Sequence, residues 1–226
     1  EKAPEIRFEG FNNDWRVVQL GDIAKIKGRL GWKSLKQEEY ISIGPAMIAG
    51  KHIKKGNINW KKVDHIPKWR YLESPEIMLE NNDVIFSKDG SLGNPAIITN
   101  LDGEATINST MMLVRPSEQL KSPFFYQVLK TKTFKKLIKE KVSGSSIPHL
   151  FQADMKQFSF YSTEPQEQVQ IGRYFEKLDS LIQNHQEKHS KFTNIKKSML
   201  IKMFPKQGET IPEVRFKGFE GEWEKN

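Results

Sequence analysis

The stretch that decides the fold runs from Thr163 to Phe204: "TEPQEQVQIGRYFEKLDSLIQNHQEKHSKFTNIKKSMLIKMF". After Pro165 it holds no proline and one glycine, Gly172. Alternating steps of three and four from Ile171 land on Tyr174, Leu178, Leu181, His185, Lys188, Phe192, Ile195, Met199 and Lys202. This is a coiled-coil seam, apolar toward its two ends and polar in the middle. Phe175, Ile182 and Met203 widen the stripe. Thr163 followed three residues later by Gln166 reads as a capping box, Pro165 is tolerated in a first turn, and Pro205 stops the helix. Roughly 40 residues at 1.5 Å each make a rod about 60 Å long. Such a rod has to pack along another helix, the alternative being that it lies across its own domain.

Upstream the texture is different. Short apolar runs are punctuated by Gly, Pro, Asn and Asp: "YISIGPAMIAG", "NDVIFSKDGS", "NPAIITN" and "STMMLVRP". These predict strands and turns. "PFFYQVLKTKTFKKLIKEKV" predicts one helix, with Phe125, Val128, Leu129, Phe134, Leu137 and Ile138 at helical spacing and Ser122-Pro123 as N-cap and first residue. "IPHLFQADMKQFSFYSTEP" predicts a short helical turn and a strand. The expected fold class is α+β: a mixed α/β domain over 1–162, a long helix over 163–204, and a linker with further sequence over 205–226.

That further sequence repeats the beginning. "PEVRFKGFEGEWEKN" from Pro212 aligns without a gap on "PEIRFEGFNNDWR" from Pro4, about 208 positions earlier. Pro, Glu, Arg, Phe, Gly, Phe and Trp coincide. A solenoid repeat spans roughly 20–50 residues, so the repeating unit here is a whole domain plus its helix, and Pro212 opens a second one.

Composition narrows the partners. Net charge +8 and a pI near 9.4 point to an anionic partner, nucleic acid first and an anionic membrane surface second. The chain has no cysteine, which excludes disulfides, thiolate nucleophiles and Cys-based zinc sites. No apolar run approaches the roughly 20 residues that span a bilayer, and "EKAPEIRFEG" lacks a signal peptide's apolar core. The expectation is a soluble cytoplasmic protein without a membrane partner.

Taken in order, these stretches resemble the specificity subunit of a type I restriction–modification system. The two domain openings carry the resemblance. So does "NDVIFSKDGSLGNPAIIT" with "INSTMMLVRP", which is similar to the strand–glycine-turn–strand part of that family's target recognition domain. The most specific stretch is the junction with the long helix: Pro165, Glu167-Gln168, Ile171 and Leu178-Asp179. A full member of the family has two recognition domains and two long helices. This sequence has one of each plus the start of a second, so it resembles a half subunit.

The resemblance implies a non-catalytic reader that lies on double-stranded DNA and recognises half of a split target. It implies adenine methyltransferase subunits docked on the helices, restriction–translocase subunits outside them, and S-adenosylmethionine, ATP and Mg2+ in those partners rather than in this chain. A half subunit is expected to pair with a second copy through Ile171, Tyr174, Leu178, Leu181, His185, Phe192, Ile195 and Met199, and so to read an inverted repeat with a fixed gap. Arg173, Lys177, Gln186 and Lys196 on the outer face are expected to meet methyltransferase.

DNA contacts are expected from the basic–aromatic stretch "KHIKKGNINWKKVDHIPKWRY", whose only acid is Asp64. Its candidates are Lys51, Lys54, Lys55, Asn57, Asn59, Lys61, Lys62, Lys68 and Arg70. Arg29, Lys33, Lys88, Asn94, Ser143, Ser145, Ser146 and His149 join them on expected loops. Lysines contact phosphate without reading sequence, whereas Arg and Asn match guanine and adenine edges. Trp32, Trp60 and Trp69 are expected in the core. Two other readings stay open: a helical interaction module without DNA, and a small metal-dependent nuclease using Glu80, Asp83, Lys88 and Asp89. Phe86 stands where such a nuclease needs an acid. His185 and His189 have the spacing of a metal pair but no evident third ligand.

Overall fold

In the computed structural model, residues 3–29, 35–143 and 148–224 are described. Their elements run β1 (Arg16–Gln19), α1 (Leu20–Ile23), β2 (Ala24–Lys27), β3 (Ile41–Ile48), β4 (Ile53–Lys54), β5 (Asn57–Ile58), β6 (Asp64–His65), α2 (Lys68–Leu72), β7 (Val84–Ser87), β8 (Gly93–Ile97), β9 (Ala105–Ile107), β10 (Met111–Pro116), α3 (Ser122–Val128), α4 (Lys132–Ser143), α5 (Gln152–Gln157), β11 (Ser159–Ser162) and α6 (Pro165–Lys202). The expected mixed domain followed by a long helix is what the chain forms. It divides into two compact units, one up to Phe175 and one from Glu176 on.

The first unit is built on a four-stranded antiparallel sheet in the order β2-β10-β7-β8. Val84 and Phe86 of β7, with Met112 and Val114 of β10, enter one core with Phe124, Phe125, Phe134, Leu150 and Phe158. Ile85, Met111 and Leu113 enter a second core with Ile48, Ile77, Ile98 and Ile107. A sheet buried on both faces needs unbroken apolar strands, which is why "DVIFS" and "MMLVRP" do not alternate. A second sheet, β6-β3-β9, pairs β3 parallel with β9 and antiparallel with β6. β1 pairs antiparallel with β11, so residues on either side of the domain sequence meet in one ribbon.

The helix expected over 123–142 is two helices. Backbone bonds Lys130 N–H to Gln127 O and Thr131 N–H to Val128 O close the first one tightly, and the Thr131 hydroxyl also donates to Val128 O at 2.7 Å. Threonine's hydroxyl competes with the backbone for that carbonyl, and the helix restarts one turn on. Ser122 is not the cap. Lys121 holds that position, and the Ser122 hydroxyl donates to Asn82 O instead.

The start of α6 also differs from the capping box. Its first intrahelical bond is Gln168 N–H to Glu164 O, and the Thr163 hydroxyl donates to Glu167 rather than facing Gln166. Gly172 has a packing reason: a Cβ there would lie 2.7 Å from Pro123 Cβ and 3.1 Å from Phe124 N, so glycine lets α3 lie against α6.

In the second unit the remainder of α6 carries its stripe to solvent. Leu181, Ile182, Phe192 and Ile195 are 45–66% exposed. The segment after the helix turns back on it. Val214 N–H donates to Lys202 O at 2.9 Å, Lys202 pairs with Glu213 at 2.7 Å, and the Phe204 and Trp223 rings meet edge-on at 5.7 Å. Among the described residues no helix is long and apolar enough to cross a membrane.

Candidate nucleic-acid interface

Five segments converge at one end of the four-stranded sheet, and backbone bonds fix them there. Lys88 N–H donates to Thr110 O, Leu150 N–H to Lys88 O, and Gly90 N–H to Pro148 O. The loop after β7 therefore lies against the segment leading into α5. A side chain at Gly28 would meet Gln152 and Lys88 at 3.5 and 3.6 Å, and the Gln152 amide bridges Ile26 O and Gly28 N–H. The end of β2 is thereby held to the same place. Asn94, in a left-handed conformation with φ of 52°, donates to Gly50 O and Ile53 O at 3.3 and 3.4 Å. That ties β8 to the Gly50–Ile53 stretch and to the β4–β5 hairpin.

The hairpin turns at Lys55-Gly56, with φ of 50° and 82°. Two consecutive left-handed residues make the twist that suits a two-residue hairpin, and glycine takes the second at no steric cost. The turn presents Lys54, Lys55 and Asn57 exposed.

Asp89 is the hub of the converged loops. Its carboxylate accepts from Lys88 Nζ at 3.0 Å and, through the other oxygen, bonds His149 Nδ1. His149 in turn packs on Phe151, ring centroids 4.2 Å apart and planes inclined by 56°, and Phe151 is 58% exposed. An ammonium has three donors and an imidazole two nitrogens. Lys88 and His149 thus each keep hydrogen-bonding capacity after Asp89 has fixed their positions, as an anionic or base-edge ligand requires. Arg29 sits at the end of β2. Its Nε and one terminal nitrogen are shielded from solvent and bonded to nothing among the described residues.

Of the residues singled out from sequence, this face gathers Arg29, Lys51, Lys54, Lys55, Asn57, Lys88, Asn94 and His149. It does not gather Lys68 and Arg70. Lys68 pairs with Glu104, and Arg70 forks onto Glu39 at 2.8 and 2.9 Å while stacking on Trp69 at 4.4 Å. Arg70 is thus committed to packing α2 against the segment before β3. Lys61 and Lys62 are exposed on a short turn, and Asn59 is half-buried beside it. Lys51 also reaches Asp64, at 2.8 Å. Ser143 is the last residue of α4. Lys33, Ser145, Ser146 and Trp32 lie outside the described residues. Trp60 packs against the second core as expected, but Trp69 is 53% exposed.

Asp89, Phe151 and Gln152 were not in the DNA-contact set. Asp89 had been read as a possible metal ligand. An exposed phenylalanine carries no sequence signal that separates it from a core one, and only the turn into α5 turns it outward. The carboxylates of the nuclease reading are otherwise engaged. Asp83 is buried and takes a two-pronged bond from Arg115 at 2.8 Å, and Arg115 also reaches Glu80 at 2.7 Å.

On the helix stripe, Ile171 packs against the first core. Tyr174, Leu178, Leu181, Phe192, Ile195 and Met199 are 36–66% exposed, and His185 lies on the exposed surface between them.

A family model described as "Type I restriction modification DNA specificity domain" matches residues 12–194. Two curated relatives come from Methanocaldococcus jannaschii. The MjaVIII type I restriction enzyme specificity subunit is 20% identical over 192 residues, covering 83% of this chain and 44% of that one. The MjaIX specificity subunit is 25% identical over 179 residues, covering 76% and 39%. The crystal structure of a type I restriction–modification S subunit from M. genitalium superposes with a TM-score of 0.57 at 21% identity, over 85% of this chain and 46% of that one, and shares its fold. The chain spans less than half the length of the curated relatives it matches.

Proposed function

Since the chain belongs to the type I restriction–modification DNA specificity family, we propose that it is a non-catalytic reader of duplex DNA, recognising half of a bipartite target with the face built around Asp89. The observation that carries this reading is the convergence of Lys88, Asn94, His149, Phe151 and the β4–β5 hairpin on one face. Lysines there supply phosphate affinity. Arg29 has the chemistry to match a guanine edge, while Asn94 serves the face by holding β8 to the hairpin. The reading extends to a homodimer through the exposed stripe of α6 from Tyr174 to Met199. It also extends to adenine methyltransferase subunits on the outer helix face, at Arg173, Lys177, Gln186 and Lys196. Restriction–translocase subunits join outside these, with S-adenosylmethionine, ATP and Mg2+ belonging to the partners, all in the cytoplasm where the chromosome lies.

A titration with duplex DNA in the presence of methyltransferase tests it. Affinity should fall steeply as salt rises, because neutralised phosphates release counterions. Negligible binding at low salt, or binding indifferent to salt, would leave the interaction-module reading in its place.

A further inference from the structure

The repeated segment at Pro212 is folded as its counterpart at Pro4 is. Both turn at the same place, Glu9-Gly10 in one and Lys217-Gly218 in the other, with glycine φ of 91° and 93°. In both, the arginine donates to the carbonyl six residues on: Arg7 to Asn13 O and Arg215 to Gly221 O. They differ in what holds them. Arg7 also forks onto Glu167 at 2.7 and 2.8 Å, a carboxylate with no exposure that takes the Thr163 hydroxyl as well. Phe8 meets Tyr174 edge-on at 5.8 Å, and Trp15 meets Phe124 at 5.9 Å. These residues form a socket at the start of α6, shaped for an Arg-Phe-x-Gly-Phe turn. Among the described residues Arg215 has no ion pair, and Phe216 and Phe219 are 72% and 69% exposed. Among the described residues nothing holds the second turn as Glu167, Tyr174 and Phe124 hold the first.

We propose that the turn at Pro212–Glu224 is an alternative occupant of the Glu167 socket, reaching it on a second copy of this chain. The inference rests on the antiparallel helix pairing proposed above. If two copies of α6 overlap fully from Ile171 to Met203, the position opposite Tyr174 of one is Leu200 of the other. Leu200, with Met199 and Met203, lines the groove of about 570 Å³ that Phe216, Phe219 and Trp223 also line. The pairing therefore brings the duplicate turn beside the ring that Phe8 covers. In the native chain the turn at Pro4 holds the socket with the advantage of its tether, because β1 follows it directly and pairs with β11. Docking of the second turn is consequently a minor state, and it grows when the first is weakened.

The chain's lack of cysteine makes the test clean. Tyr174→Cys with Phe216→Cys, treated with a short bismaleimide, should give a covalent dimer, and Phe8→Cys with Tyr174→Cys should give the intrachain link that calibrates reach. Arg215→Ala lies on the exposed turn and should cut the dimer yield about tenfold, the loss of a charge-assisted hydrogen bond. Arg7→Ala should raise it, and Arg7→Lys should do so while keeping the charge. A particle that sediments as a dimer yet gives no covalent dimer, or gives one indifferent to Arg215, overturns the docking and leaves the helix pairing intact. A particle that stays monomeric at every concentration overturns both.

Discussion

At the residue scale, the buried polar groups set the conditions under which the domain holds. His52 is 3% exposed and accepts the Ala49 N–H at Nδ1. Burial pushes its imidazole pKa down, although Asp64 nearby favours the charged form. The folded state therefore keeps it neutral, while the unfolded chain takes up a proton near pH 6.5. Stability rises with pH wherever the unfolded state binds more protons, so His52 should lower the melting temperature as pH falls from about 7 toward 5. His52→Asn should flatten that slope, and an unchanged slope would remove His52 from the account. Glu167 acts in a more acidic window. Burial pushes its carboxyl up, but the Arg7 fork and the Thr163 hydroxyl outweigh it and the net direction is down, so its contribution is lost only as pH falls through the folded value. If the face around Asp89 binds DNA as proposed, Lys88→Ala should weaken duplex binding by a similar factor for all sequences and reduce the salt slope by about one, as a phosphate contact does. That Lys88, Asn94 and His149 lie on loops is legible from sequence because Gly turns and charge mark them. Arg70 misled, since a guanidinium bound to Glu39 looks in sequence like one available to DNA. Phe151 was illegible because its exposure depends on α5.

Among the elements, α6 carries the interactions proposed for the molecule. Its length and stripe are legible in the sequence because a 3.5-residue period sustained over about nine turns has few alternative folds. Its cap and the break between α3 and α4 are not, because each turns on the acceptor one threonine hydroxyl selects, the Glu167 carboxylate for Thr163 and Val128 O for Thr131. The same holds for Gly172, whose need is set by Pro123, far away in the chain. An exposed apolar stripe this long marks an interaction surface. Leu181→Glu places a charge in mid-seam, where pairing would bury it without a partner, and should convert a sedimenting dimer to monomer. Its melting profile for the first unit should stay unchanged, since Leu181 lies outside both cores. A Leu181→Glu protein that still sediments as the dimer would move the interface elsewhere.

For the whole molecule, the fold class followed from two textures in one sequence, unbroken apolar strands buried on both faces and then a helix without breakers. The repeat of Pro4 at Pro212 pointed to a unit of domain plus helix. Which bases the proposed face reads is not legible in the sequence, because that face is assembled from five separated segments and not from any one of them. A homodimeric reader has one consequence that no other reading shares: two-fold symmetry in the protein requires two-fold symmetry in the target. Co-expression of this chain with its methyltransferase, followed by mapping of methylated adenines across the genome, tests that directly. The account predicts an inverted-repeat motif split by a fixed gap; an asymmetric motif would contradict it and require a second, different reading half.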